Sequence, residues 1–178
     1  MMCSSYQLQD VCSFIDYRGK TPPKTTSGIP LITAKIVKNG RILAPQEYIA
    51  EDYYDEWMRR GIPKEGSIVF TTEAPLGEVA QIRTSEKIAF AQRIIILEPN
   101  RKVLDPNYLL YSLQDNRLKG RIEARATGTT VIGIKAAELR KVVIDLPPLD
   151  IQKEIAAILK SLDEKIYHNE CINDNLAA

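Results

Sequence analysis

Residues 147–176 read PPLDIQKEIAAILKSLDEKIYHNECINDNL: two prolines and an aspartate, then a long run free of Pro and Gly. Its apolar positions are Ile151, Ile155, Ile158, Leu162, Ile166, Ile172 and Leu176. With Asn169 included, the steps are 4, 3, 4, 4, 3, 3 and 4. That spacing lies between the ~3.6 of a straight helix and the ~3.5 of a supercoiled one. Pro147 and Pro148 close the preceding segment, and Asp150 suits an N-cap. At about 1.5 Å per residue the run predicts a rod of about 40 Å. Either this terminal helix packs on its own domain, or it projects and pairs with another helix. Asn169 favours pairing, since a polar residue in an apolar seam costs stability and fixes register.

The chain has 178 residues, enough for one domain of ordinary size plus this appendage. Residues 1–146 are expected to form the globular unit and residues 147–178 the helix. A hydrophobic content of 44% provides a core. Cys3, Cys12 and Cys171 are odd in number and scattered, which reads as reduced thiols rather than a disulfide framework or zinc site. No signal peptide opens the chain, and RIIIL is its densest apolar patch, so a cytoplasmic protein without a membrane span is expected. Asn-Leu-Ala-Ala ends the chain without a helix stop, which reads as a helix cut mid-course.

Net charge is only +1, but its distribution is uneven. Residues 1–46 hold six basic side chains (Arg18, Lys20, Lys24, Lys35, Lys38, Arg41) against Asp10 and Asp16. Residues 101–141 hold nine against four acids. A basic face set against an acidic remainder suits a polyanion, although a solvated surface with uneven charge reads the same way.

Strand-like segments are expected at 6–17 (two, around a turn), 29–34, 67–72, 78–82, 92–97 and 141–146. Asn39-Gly40 signals a hairpin turn. Short helices are expected at 52–60 and 136–139, with continuous helix from Pro106 through Arg125. The pattern is α+β, with a mixed, curved sheet and short helices followed by a long coiled-coil helix.

The catalytic inventory is poor. Gly19-Lys20-Thr21 ends like a P-loop, but Phe14 stands where the first Gly belongs. Leu146-Pro147-Pro148-Leu149 lacks the Asp or Asn and the aromatic of an amino-methyltransferase motif, and no cofactor loop accompanies it. Asp163-Glu164-Lys165 lies mid-helix without an upstream acid. His168 is the only histidine, which disfavours a His-based triad or metal site.

Four regions suit recognition instead. Arg18, Lys20, Thr21 and Lys24 lie in a flexible basic and hydroxylated loop, and Lys35 follows the next strand. Thr71 and Thr72 end a strand. Gln92 and Arg93 begin another, and these side-chain types read adenine and guanine bidentately. Arg125, Thr127, Gly128, Thr129, Thr130 and Lys135 close the basic region, where Gly128 would let backbone approach a phosphate. Each also has a plain reading as turn chemistry, a satisfied buried amide or a linker.

YQLQDVCSFID with GKTP, GIPLITAKIVKNGRI, EGSIVFTTEAPLGEVAQI, AFAQRIIILEP, YLLYSL and ATGTTVIGIKAAELRKVVIDLPPLDIQKEIAAIL follow one another in order. In this series the chain resembles the specificity subunit of type I restriction–modification systems over nearly its whole length. Two positions depart from the family pattern: Ser67 where Asp is common, and Ile151 where Glu usually precedes Gln.

The resemblance implies a target-recognition domain followed by a spacer helix, in a non-catalytic subunit that reads double-stranded DNA. It implies methyltransferase and restriction subunits as partners, with S-adenosylmethionine, ATP and Mg²⁺ used there and no cofactor in this chain. It further implies one unit of a tandem, whose helix pairs antiparallel with a second copy or with the second half of a longer subunit. The expected seam is Ile151, Ile155, Ile158, Leu162, Ile166, Asn169, Ile172 and Leu176. A protein–protein adaptor that retains helix pairing without reading DNA is the alternative.

Overall fold

The structure, a computed structural model, describes residues 3–177; Met1, Met2 and Ala178 lie outside it. In chain order the elements are β1 (Ser4–Gln7), α1 (Leu8–Val11), β2 (Cys12–Asp16), β3 (Ile29–Ile32), β4 (Val37–Lys38), β5 (Arg41–Ile42) and β6 (Tyr48–Ile49). They continue with α2 (Tyr54–Trp57), β7 (Ile68–Thr72), β8 (Leu76–Gln81), β9 (Ala89–Phe90), β10 (Ile94–Pro99), α3 (Pro106–Gln114), α4 (Asn116–Glu123), α5 (Ala136–Arg140), β11 (Val143–Leu146) and α6 (Leu149–Ala177).

The dense apolar patch RIIIL becomes the centre of the fold. β10 lies between β2 and β7 in a four-stranded antiparallel sheet ordered β2-β10-β7-β8. Side chains alternate across a strand, so a continuous apolar run must be buried on both faces. Ile95 and Leu97, with Ile68 and Phe70 of β7, face one core, which also holds α3 and α4 residues such as Leu109, Leu113 and Ile122. Ile94 and Ile96, with Val69, face a second core built from β3, β9 and α2 residues such as Leu31, Phe90 and Tyr54. A register shift between Phe70 and Thr72 interrupts the β7–β8 ladder, a device that bends a strand. The mixed pairing expected from the sequence sits in a small sheet, where β3 runs antiparallel to β6 and parallel to β9.

Local chemistry explains several departures from the expected elements. Residues 8–11 form one helical turn rather than a hairpin turn; Gln7 and Asp10 close a capping box around it. Helix does not run unbroken from Pro106 to Arg125. Asp115 adopts an extended conformation (φ −68°, ψ 134°), and its carboxylate accepts from the Arg117 N–H at 2.7 Å, so it caps α4 and separates it from α3. The Asn39-Gly40 turn forms as expected, with φ of 51° and 79° between β4 and β5.

α6 begins at Leu149, so Asp150 lies in its first turn, where its charge favours the helix dipole, and is not the N-cap. The helix does not simply project. One face lies along α3 and reaches the β4–β5 hairpin. Gln152 and Ala156 are buried on that face. The Tyr111 hydroxyl donates to Asp163 Oδ2 at 2.9 Å, and Arg41 donates to Glu170 Oε2 at 2.7 Å while stacking over Tyr167 at 4.9 Å.

The predicted seam occupies a different face, about a third of a turn away at ~100° per residue. Ile155, Ile158 (63% exposed), Leu162 (49%), Ile166, Ile172 and Leu176 are exposed there. Asn169 is exposed beside them, and Ile151 is half-buried. The helix therefore packs on its own domain through a largely polar face and leaves its apolar stripe bare. No helix among the described residues is long and apolar enough to cross a membrane.

Candidate nucleic-acid interface

Six of the predicted recognition residues line one groove of about 400 Å³: Arg18, Thr72, Gln92, Arg93, Thr127 and Lys135, together with Gly19, Glu73 and Val131. A second hollow, of about 240 Å³, holds Thr21, Lys24, Lys35 and Glu47. Gln92 and Arg93 line both, so the two hollows adjoin. Four separated stretches of sequence thus meet around the segment that leads into β10.

Gln92 and Arg93 precede β10 rather than begin it, and both are exposed. The reason is backbone conformation. Arg93 has φ +75°, which ends the extended run and which L side chains rarely adopt. Its carbonyl accepts from the Thr72 N–H at 2.8 Å and from the Thr72 hydroxyl at 3.2 Å, which holds that conformation. The Arg93 side chain then meets Glu73 at 3.0 Å across the groove.

Thr71 and Thr72 differ from expectation. Both are buried, and both hydroxyls serve the fold. Thr71 donates to the Pro75 carbonyl at 2.7 Å and accepts the Glu78 N–H at 2.9 Å. Thr71 lies behind the groove, and Thr72, though buried, forms part of its wall. Gly128 also has a different role. At φ +127°, a Cβ there would fall inside contact distance of the Val131 carbonyl, so glycine is required by the turn itself. Thr129 and Thr130 are exposed on that turn.

Charge at the site is largely paired. Arg18 grips Asp16 through two nitrogens at 2.8 and 2.7 Å. Burial alone would raise the Asp16 carboxyl, but hydrogen bonds from Arg18 and the charges of Arg18 and Arg60 outweigh it and hold it below its ordinary value. Lys24 meets Glu47 at 2.9 Å and Arg125 meets Glu138 at 2.9 Å. Arg125 therefore braces α5 and lines neither hollow. Among the described residues no ion pair is found for Lys20, Lys35 or Lys135. Lys20 lies apart, in a small recess with Tyr53, Trp57 and Arg59. The second oxygen of Glu47 is buried without a protein partner, an acceptor at the wall of the second hollow.

Sequence reasoning missed Glu47 and Arg60. Arg60 donates to the Asp16 and Arg18 carbonyls at 2.6 and 2.7 Å and so fixes the loop that carries Arg18. Nothing in its local sequence distinguishes Arg60 from a solvated arginine at a helix end. Among the described residues no three His, Cys, Asp or Glu side chains gather as metal ligands.

A family model described as type I restriction modification DNA specificity domain matches residues 3–177. The type I restriction enzyme MjaIX specificity subunit of Methanocaldococcus jannaschii is 29% identical over 151 residues, 83% of this chain and 34% of that protein. Two solved structures share the fold. The HsdS subunit from Thermoanaerobacter tengcongensis has a TM-score of 0.66 at 17% identity, covering 93% of this chain and 43% of that one. The type I restriction-modification S subunit from M. genitalium has a TM-score of 0.65 at 18% identity, covering 94% and 41%. The chain spans about a third of the length of the curated relatives it matches.

Proposed function

The chain belongs to the type I restriction modification DNA specificity domain family, and on that premise we propose that it reads one half-site of a double-stranded DNA target through the Gln92–Arg93 groove and pairs through α6. The observation that carries the reading is the meeting of Arg18, Gln92, Arg93 and Lys135 at one groove from stretches far apart in sequence. Arg93 and Gln92 are the side-chain types that read the guanine and adenine edges of the major groove, and the Glu73 carboxylate is an acceptor for a base amino group. Lys35 and Lys135, without acidic partners among the described residues, are suited to phosphates.

The apolar stripe of α6 supports helix pairing. An antiparallel partner, either a second copy or the second helix of a longer chain, covers Ile155, Ile158, Leu162, Ile166, Ile172 and Leu176, with Asn169 fixing register. A two-fold pair presents two equivalent grooves and reads an interrupted palindrome whose gap follows helix length. The chain itself performs no chemistry. Methyltransferase and restriction subunits supply it, with S-adenosylmethionine, ATP and Mg²⁺ bound there.

The test is duplex binding as a function of salt. Phosphate contacts give a steep fall of affinity with salt, and Lys35→Ala and Lys135→Ala each lower the slope by about one. Arg93→Ala relaxes base preference at about one position, at a cost of about 1–3 kcal/mol. The ion pairs that occupy Arg18, Lys24 and Arg93 favour a second reading, an adaptor that pairs helices without touching DNA. Absence of any salt-dependent duplex binding would select it.

A further inference from the structure

Val131 and Ile132 stand 51% and 56% exposed at the tip of a loop beside the groove. The loop is closed on itself: the Thr127 N–H donates to the Gly133 carbonyl at 2.8 Å, and the Gly133 N–H to the Thr127 carbonyl at 2.9 Å. It is also fastened to the sheet, since Gly133 bridges Glu73 and the Ile134 N–H donates to the Thr72 carbonyl at 2.9 Å. Gly128 sets the turn (φ +127°) that brings the chain back. Two adjacent β-branched side chains, each with few rotamers, are thus held out on a braced support.

Val131 also lines the groove that holds Gln92 and Arg93. An apolar side chain gains nothing against phosphates; its complement on a duplex is the face or edge of a base. The groups around the tip are of the opposite kind. The Thr129 and Thr130 hydroxyls and the Lys135 ammonium suit the phosphates on either side of such a contact. Resting on the DNA-binding reading above, we infer that Val131 and Ile132 form an apolar wedge that enters a base step of the bound duplex and unstacks it. The wedge requires a flexible step rather than a particular base, so it adds a preference for deformable sequence at a position that no hydrogen bond reads.

The chain is offered a random-sequence pool of short duplexes at low salt, and the retained duplexes are remade with 2-aminopurine placed in turn at each adenine and with a fluorophore pair at the ends. A several-fold rise in 2-aminopurine fluorescence at one step, with the ends drawn together, is the expected result. At concentrations that saturate the duplex, Val131→Ser with Ile132→Ser lacks the rise, and Val131→Leu with Ile132→Leu keeps it. Both positions are exposed, so circular dichroism melts should match wild type. Duplex bound with every step stacked overturns the wedge and leaves the DNA-binding reading standing. A Ser double variant that still unstacks the step also overturns the wedge, and a tip that serves a protein partner gives this result or the previous one. If no duplex is retained, the wedge and the DNA-binding reading fall together.

Discussion

Replacing Gln152 with leucine should destabilise the protein more than its place near a chain end implies. Gln152 is 1% exposed. Its Oε1 accepts the Asp105 N–H at 3.0 Å, and its Nε2 donates to the Val103 and Pro147 carbonyls at 3.0 and 2.8 Å. One side chain therefore satisfies three backbone groups and fastens the root of α6 to the loop ahead of α3. Leucine fills a similar volume but leaves all three groups without a partner, at about 1–3 kcal/mol each where water cannot replace it. Burial of the leucine side chain returns about 1.5–3 kcal/mol. The net cost is then about 2–6 kcal/mol. In urea, with a slope of about 2 kcal/mol per molar, the unfolding midpoint should fall by about 1–3 M. Lys153→Leu, at the exposed neighbouring position, should stay within about 0.5 kcal/mol of wild type. Gln152→Glu should be tolerated better in acid than at neutral pH, because only the protonated acid can donate to a carbonyl. A Gln152→Leu midpoint equal to wild type, with an unchanged slope, would refute this account of how α6 is anchored.

Ile158→Asp and Leu162→Asp should abolish self-association in sedimentation and leave unchanged the melting temperature measured at dilutions where the wild type is monomeric, since both side chains face solvent in the single chain; a wild type that stays monomeric at high concentration removes the basis for the seam. Burial pushes the Cys12 thiol up to about 12, so at pH 8 a thiol reagent should modify exposed Cys3 in the native protein and spare Cys12 until it unfolds. Asp16 is held below its ordinary value of 3.8, so its contribution to stability is present above that pH and lost as pH falls through the lower folded value. The melting-temperature gap between wild type and Asp16→Asn should accordingly be widest near neutrality and close in acid; a gap that does not change with pH would show that the Arg18 contact contributes nothing through charge.

The helix and its apolar stripe were legible because their signal is periodic and local. The opposite face of α6 was not, because Gln152, Asp163 and Glu170 look like ordinary solvated polar residues until Asp105, Tyr111 and Arg41 arrive from 47, 52 and 129 residues away. The break between α3 and α4 was missed for a different reason: Asp115 is tolerated on a helix surface, and only its backbone angles reveal a cap. The burial of Thr71 and Thr72 was not legible because a strand covered on both faces hides its hydroxyls, and β-branched composition does not say how many faces are covered. Gln92 and Arg93 were singled out by side-chain type, but the positive φ of Arg93 that sets them ahead of the strand has no marker in the residue itself. Of the ion pairs at the groove, Asp16 with Arg18 could have been read from a spacing of two, and Lys24 with Glu47 could not.

The mounting of α6 has a mechanical consequence. At about 1.5 Å per residue its 29 residues make a lever arm of about 43 Å. Held only at its root, that arm would turn a tilt of about 10° into a tip error of about 7.5 Å, more than two base-pair steps at about 3.4 Å each. Arg41 supplies a second bearing at Glu170, about 27 Å further along the shaft than Gln152. With about 1 Å of play between two bearings so placed, the tilt is limited to about 2° and the tip to about 1.6 Å, less than one step. A peripheral hairpin thereby holds the shaft to the tolerance that the proposed half-site spacing requires.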